Sequence, residues 1–188
     1  AGDIKYADLN NDDKINADDR TNLGKRFPGI NYGFSLGADY KSFDISMLWQ
    51  GVADSKIMGS GRFIQPFWFG SSPLNYQLDS WTPDNKHARF PEVSFTNSAN
   101  YLPSSFWIQS GAYLKLRNLQ IGYTLSASVI NKIGLSRARL YISAENLLSI
   151  SSFDYGFDPE DVSYEGDPVS VFNANGPANY PTTKRLLA

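Results

Sequence analysis

Residues 30–40 alternate without a break. Ile30, Tyr32, Phe34, Leu36, Ala38 and Tyr40 are apolar, and Asn31, Gly33, Ser35, Gly37 and Asp39 between them are small or polar. A period of two sends successive side chains to opposite faces of a strand, so the segment has one oily face and one wet face. Length is the constraint. A strand in a soluble domain runs about 5–6 residues, whereas a tilted strand needs about 9–11 to cross a bilayer. Lys41-Ser42 is a tight connection, after which Phe43, Ile45, Met47 and Trp49 alternate with Asp44, Ser46 and Gln50; Leu48 is the one misfit. Residues 30–52 therefore read as a long β-hairpin.

A second strand pair occupies residues 112–150. Leu114 and Leu116 hold one phase, and Leu119, Ile121, Tyr123 and Leu125 hold the other. The flip at Arg117-Asn118 predicts a β-bulge. Residues 127–136 connect, with a helical turn expected at Ser128 to Ile133. Ala138, Leu140, Ile142 and Ala144 then alternate with Arg139, Tyr141, Ser143 and Glu145. A soluble antiparallel sheet gives this alternation with its apolar face on a core, and a barrel gives it with that face on lipid.

Connection lengths separate the two. The turn after Tyr40 is short, the connection over 53–111 long, the turn after Leu125 short again, and the connection over 151–180 long. Short inner turns and long outer loops are the rhythm of outer-membrane barrels, and long structureless loops are uncommon in compact soluble domains. By this parity residues 1–29 and 53–111 are extracellular loops, 151–180 is an acidic extracellular loop, and 181–188 begin a strand running toward the periplasm. The expected fold class is all-β: an antiparallel transmembrane β-barrel fragment with long extracellular loops.

Composition removes other classes. Among 188 residues there are 17 Lys and Arg, 19 Asp and Glu, one His and no Cys, giving a net charge of −2. Without Cys there is no disulfide scaffold and no thiolate metal site, and one His cannot build a multi-His centre. No basic block offers a nucleic-acid face. No run of about 18 apolar residues offers a transmembrane helix. Ala1-Gly2-Asp3 shows no targeting signal, and the chain reads as a piece of something longer.

Asp8-Leu9-Asn10-Asn11-Asp12-Asp13-Lys14-Ile15-Asn16-Ala17-Asp18-Asp19 fits a twelve-residue calcium loop. Asp8, Asn10 and Asp12 supply side-chain oxygens at positions one, three and five, the Lys14 carbonyl stands at seven, and Asp19 is the acid at twelve. Ile15 is the apolar anchor at eight. Calcium is a hard cation that wants six to eight oxygens, which a tight loop can gather. Two departures are Asp13 in place of the usual Gly at six, and Asp19, which is shorter than Glu. The competing reading is a solvated acidic turn. No amphipathic helix precedes Asp8, so a structural ion in a lone loop is expected.

Residues 154–167 carry Asp154, Asp158, Glu160, Asp161, Glu165 and Asp167 without a base. Paired carboxylates can serve glycosidase chemistry, but a hydrated acidic loop explains them more simply. His87, between Lys86 and Arg89 in a Pro-bounded stretch, reads as an exposed loop residue. The long loop is rich in rings, including Phe63, Phe67, Phe69, Tyr76, Phe90, Phe95, Tyr101 and Phe106. Trp68, Trp81 and Trp107 are its candidate ligand-binding residues, because flat rings can stack on sugar faces in mostly apolar pockets. Packing of these rings against each other or a partner is the alternative.

Several segments together resemble SusC-type TonB-dependent transporters. They are Gly2-Asp3-Ile4-Lys5-Tyr6 with the loop that follows, Tyr32-Gly33-Phe34-Ser35-Leu36-Gly37, Trp49-Gln50-Gly51, and Ser80-Trp81-Thr82-Pro83-Asp84-Asn85. Tyr113 to Tyr123, Ser143-Ala144-Glu145-Asn146-Leu147-Leu148, Asp158-Pro159-Glu160 and Tyr180-Pro181 complete the set. The resemblance implies a 22-stranded outer-membrane barrel with an N-terminal plug, of which this chain is about the last five strands. It implies import of glycans, or in some members peptides, powered through TonB and capped by a SusD-type surface lipoprotein. The chain itself shows no plug and no TonB-contacting segment. Two readings remain beside the non-enzymatic importer: a secreted calcium-dependent carbohydrate-binding β-sandwich, and a glycoside hydrolase using the acids of 154–167.

Overall fold

The computed structural model describes residues 2–25, 27–95, 98–156, 158–160 and 183–187. Residues 161–182, with Asp161, Glu165, Asp167 and Tyr180-Pro181, lie outside the described residues. The chain divides into two compact units. One, the loop unit, holds residues 2–24 and 57–109 of the described chain; the other, the sheet unit, holds residues 25–56, 110–160 and 183–187.

In the sheet unit, β1 (Ile30–Tyr40), β2 (Phe43–Ala53), β5 (Tyr113–Thr124), β6 (Arg139–Ser151) and β7 (Arg185–Leu187) form one antiparallel sheet in the order β1-β2-β5-β6-β7. A two-stranded sheet pairs β3 (Lys56–Met58) with β4 (Ile108–Ser110), inside the stretch expected to be loop throughout. Tyr40 pairs with Phe43, Phe43 with Tyr123, and Tyr123 with Leu140. The Lys41-Ser42 turn and the 125–138 connection therefore leave from the same end of the sheet. The latter carries α1 (Ala127–Ile130) and a 3₁₀ turn at Asn131–Ile133, close to the expected helical turn.

The phase flip of β5 has a backbone cause. Leu48 pairs with Asn118 but Trp49 pairs with Leu116, so Arg117 is the extra residue against β2. Against β6 the register steps from Leu116–Leu148 to Asn118–Glu145, which leaves Asn146 and Leu147 opposite Arg117. Asn146 takes φ +50°, a left-handed value that Asn tolerates better than most residues.

This register aligns apolar rows across the strands. Leu36, Met47, Leu119, Ala144 and Leu186 form one row, and Ala38, Ile45, Ile121 and Ile142 the next. Tyr40, Phe43, Tyr123 and Leu140 form a third. Leu116 and Ala144 are buried mid-sheet and Ile45, Met47, Trp49 and Leu119 half-buried, but elsewhere the face is open: Leu36 is 50% exposed, Ile142 55% and Leu140 65%. A sandwich would cover this face with a second sheet. Among the described residues the only other sheet is the short β3–β4 pair.

The loop unit has the opposite arrangement. Ile64, Phe90 and Trp107 form a buried cluster, against which Ile4, Tyr76 and Tyr101 pack. Trp107 stacks on Phe90 with ring centres 6.0 Å apart and meets Phe106 edge-on at 4.7 Å. Asn100, 1% exposed, ties the pieces together. Its Oδ1 accepts from the Ile4 amide at 2.8 Å, its Nδ2 donates to Asp3, and its carbonyl accepts from Trp107 Nε1 at 2.9 Å. Every polar atom of a buried Asn must find a partner, so this residue fixes the path of residues 2–6 over the core.

Candidate functional site: ion-paired sheet face and outer segments

The face opposite the apolar rows carries the charges. Near the short-turn end, Arg139 donates from Nε to Asp44 Oδ1 at 2.9 Å and from Nη2 to Asp44 Oδ2 at 2.5 Å, and also reaches Gln120. This bidentate pair spans from β6 to β2 and lies over Gly122 of β5, where an added Cβ would collide with both partners. Glycine here lets two side chains bridge across a strand. On the apolar face, a Cβ on Gly51 would come within 2.5 Å of the Tyr32 ring, which lies across that glycine.

At the other end sits a larger cluster. Lys115 is 2% exposed, and its Nζ donates to Asp158 Oδ2 at 2.5 Å and Glu160 Oε2 at 2.7 Å. It also stands 5.1 Å from the centre of the Tyr113 ring. Arg117, turned out by the bulge, pairs through Nη2 with Glu160, through Nε with Gln50 at 3.0 Å, and through Nη1 with Asn146 at 3.2 Å. Burying a Lys is expensive unless its charge is compensated and its protons are placed, and both conditions hold. Burial pushes the Glu160 carboxyl up, but the hydrogen bonds from Arg117 and Lys115 outweigh it and hold the group below its ordinary range. A glycosidase acid needs a carboxyl held above that range. Asp158 and Glu160 are ion-pair partners of Lys115 and Arg117.

The expected calcium loop is compact. Asp8 Oδ1 accepts from the Asn11 and Asp12 amides and Oδ2 from the Asp13 amide; Asp12 Oδ1 accepts from Lys14. Asp19 closes the loop, taking the Leu9 and Asn16 amides at 2.8 Å each. The Asn16 and Leu9 amides hold the Asp19 carboxyl below its ordinary range. Asp13 adopts φ +60°, the left-handed conformation for which calcium loops ordinarily use Gly at this position. Ile15, expected as the apolar anchor, is 56% exposed. Among the described residues no three His, Cys, Asp or Glu side chains converge as a metal-holding group. The carboxylates here face backbone amides.

The three candidate tryptophans part company. Trp107 is 1% exposed, so it belongs to the core of the loop unit and does not present a ring to a ligand. Trp81 and Trp68 are half-buried; Trp81 lies against Gly2, and Trp68 meets Phe69 edge-on at 4.9 Å. Phe69, at 88%, and Phe95, at 80%, are the most exposed rings of the long loop. His87 is exposed, as its sequence setting implied. Sequence reasoning missed the Lys115–Glu160 cluster. Alternation puts Lys115 on the polar face, but nothing in the spacing pairs it with acids forty residues on.

A sheet that turns a continuous apolar face outward and ion pairs to the other side is the kind of surface from which barrel walls are made. No family model matches the chain. It is 30% identical over 173 residues to TonB-dependent receptor P3 of Formosa agariphila, covering 90% of this chain and 16% of that protein. With TonB-dependent receptor P26 of the same organism it shares 25% over 187 residues, covering 98% and 19%. Among solved structures it resembles the RagAB peptide importer in its closed-closed state, at 25% identity and a TM-score of 0.66, covering 92% of this chain and 18% of that one. The open-open state of RagAB gives 0.62 at the same coverage. Over most of its length the chain is similar to TonB-dependent receptors, which bears out the resemblance to SusC-type receptors read from the sequence. It spans less than a fifth of the curated relatives it matches.

Proposed function

We propose that this chain forms part of the wall and outer mouth of a TonB-dependent importer in the outer membrane of a Gram-negative bacterium. The observation that carries the reading is the exposed apolar face, with rows of Leu, Ile, Phe and Tyr running in register across the strands. Lipid would cover that face, and the ion-paired face would line the interior of a barrel of about 22 strands. The long connections then point to the cell exterior, and the remainder of the same barrel, a plug and TonB complete the machine. A SusD-type lipoprotein partner is supported by the match to the RagAB importer.

The cargo is an oligomer small enough to pass a barrel lumen. Half-exposed Trp68 and Trp81 suit oligosaccharides, whose ring faces stack on indoles. Peptides are the second reading, supported because RagAB, which the chain resembles, is a peptide importer. Calcium in the 8–19 loop is a further part of the proposal. Asp8, Asn10, Asp12, the Lys14 carbonyl and Asp19 are its donors, and the left-handed backbone at Asp13 supports the fit. The ion would stiffen the first outer loop.

The test begins with the full-length receptor extracted from native outer membranes. A detergent-dependent particle that carries a lipoprotein and takes up labelled oligosaccharides or peptides supports the importer. A water-soluble protein without lipid dependence overturns it, and the β-sandwich then returns. Comparing the two cargo classes at equal length decides between the readings.

A further inference from the structure

The chain does not leave the sheet when β6 ends. Ser151 Oγ donates to the Ala112 carbonyl at 3.2 Å and accepts from the Phe153 amide at 3.0 Å, which turns the backbone sharply. Phe153 and Tyr155 are buried and meet edge-on with ring centres 5.4 Å apart. Asp158 and Glu160 then reach Lys115, which lies in register with Gln50 of β2 and Ser149 of β6, inside the strand ends. Residues 153–155 and 158–160 thus double back over the polar face as a strap. The strap explains why this lysine is 2% exposed.

We infer that Lys115 is a positioning residue which, seconded by Arg117, holds this strap down on the polar face of the sheet. The lock is electrostatic and two-sided. Two cations on β5 face two carboxylates two positions apart on the strap, and Glu160 bridges both cations, one oxygen to each. Asp158 Oδ1 also takes the Glu160 amide at 3.0 Å, so the strap's own backbone is bent to present both acids together. Pro159 between them is buried and narrows the conformations the unlocked strap would gain. In the importer proposed above, and resting on that reading, the lock pins the root of the last outer loop to the interior wall.

The test is hydrogen exchange on the full-length receptor with its partner, followed by peptides covering 152–160 and peptides covering β5 and β6. Lys115→Met keeps the length of the side chain and removes its charge. It is expected to speed exchange in the strap on the order of a hundredfold, because half-buried Asp158 loses its ion pair with Lys115 and Glu160 keeps only Arg117. Lys115→Arg should restore protection to within a few-fold, and Glu160→Gln should release the strap from the other side should Lys115→Met fail to fold. Strap exchange unchanged by loss of charge, arginine no better than methionine, or equal loss of protection in β5 and β6 would each overturn the inference. None of these readouts depends on cargo, so a receptor that transports nothing would refute the importer and leave the lock standing.

Discussion

Trp107 and Leu140 are both large apolar side chains, and the protein treats them oppositely. Trp107, in the loop unit, is 1% exposed and packed between Phe90 and Phe106. Leu140, in the sheet unit, is 65% exposed and belongs to an outward row with Tyr123 and Phe43. The loop unit buries a ring cluster and an Asn satisfied by its neighbours, while Phe69 and Phe95 stay at its surface. The sheet unit is inverted, with rings outside and ion pairs on its other face. On the function proposed above, the difference marks the surroundings of each unit: water for the first, hydrocarbon on one side for the second.

The comparison can be broken most forcefully at Trp107. Trp107→Ala should cost the loop unit about 3–5 kcal/mol, as for other large core truncations. Limited proteolysis of the folded receptor should then cut within 57–109 while β5 and β6 stay intact. On the sheet, Ile142→Arg is expected to lower refolding stability in bilayers by roughly 2–4 kcal/mol. An exposed Ile on a soluble sheet would accept the change almost freely, so a neutral result would undo the contrast.

Smaller effects sharpen it. Gly122→Ala should cost about 1–3 kcal/mol, since the Cβ displaces the Arg139–Asp44 pair and leaves two charges short of partners. Asp44→Asn in the same background should then have little further effect, measured as a double-mutant cycle by denaturant titration. Acid should loosen the strap before the apolar face responds. Glu160's folded carboxyl lies below its ordinary value, so its contribution is present above the unfolded value near 4.5 and is lost as pH falls below it. Hydrogen exchange in 158–160, corrected for its intrinsic pH dependence, should rise as pH falls below about 4.5. Least of all, Asp13→Gly should gain roughly 1 kcal/mol in the 8–19 loop by relieving its left-handed backbone, read as the thermal midpoint of that loop's protection from proteolysis.

Much of the sheet was legible in the residues. The eleven-residue alternation of Ile30–Tyr40 appears as β1 with the expected faces, and the phase flip at Arg117-Asn118 appears as the bulge that leaves Arg117 unmatched. Both are local signals, because side-chain direction along a strand depends only on counting by two. The candidate sites were less legible. Trp68, Trp81 and Trp107 look alike in composition, yet Trp107 is core and the others are half-exposed. Burial in a long irregular segment follows from which distant pieces fold together, and spacing carries no record of that.

What this sequence determines alone is therefore the strand length, the alternation and the position of the bulge, since each is a property of neighbouring residues. That the oily face stays bare, that Asn100 binds residues 2–6 to a core nearly a hundred positions away, and that Lys115 meets Asp158 and Glu160, only the tertiary structure decided. Those contacts join residues far apart in the chain, and chain closure, unlike periodicity, leaves no local mark.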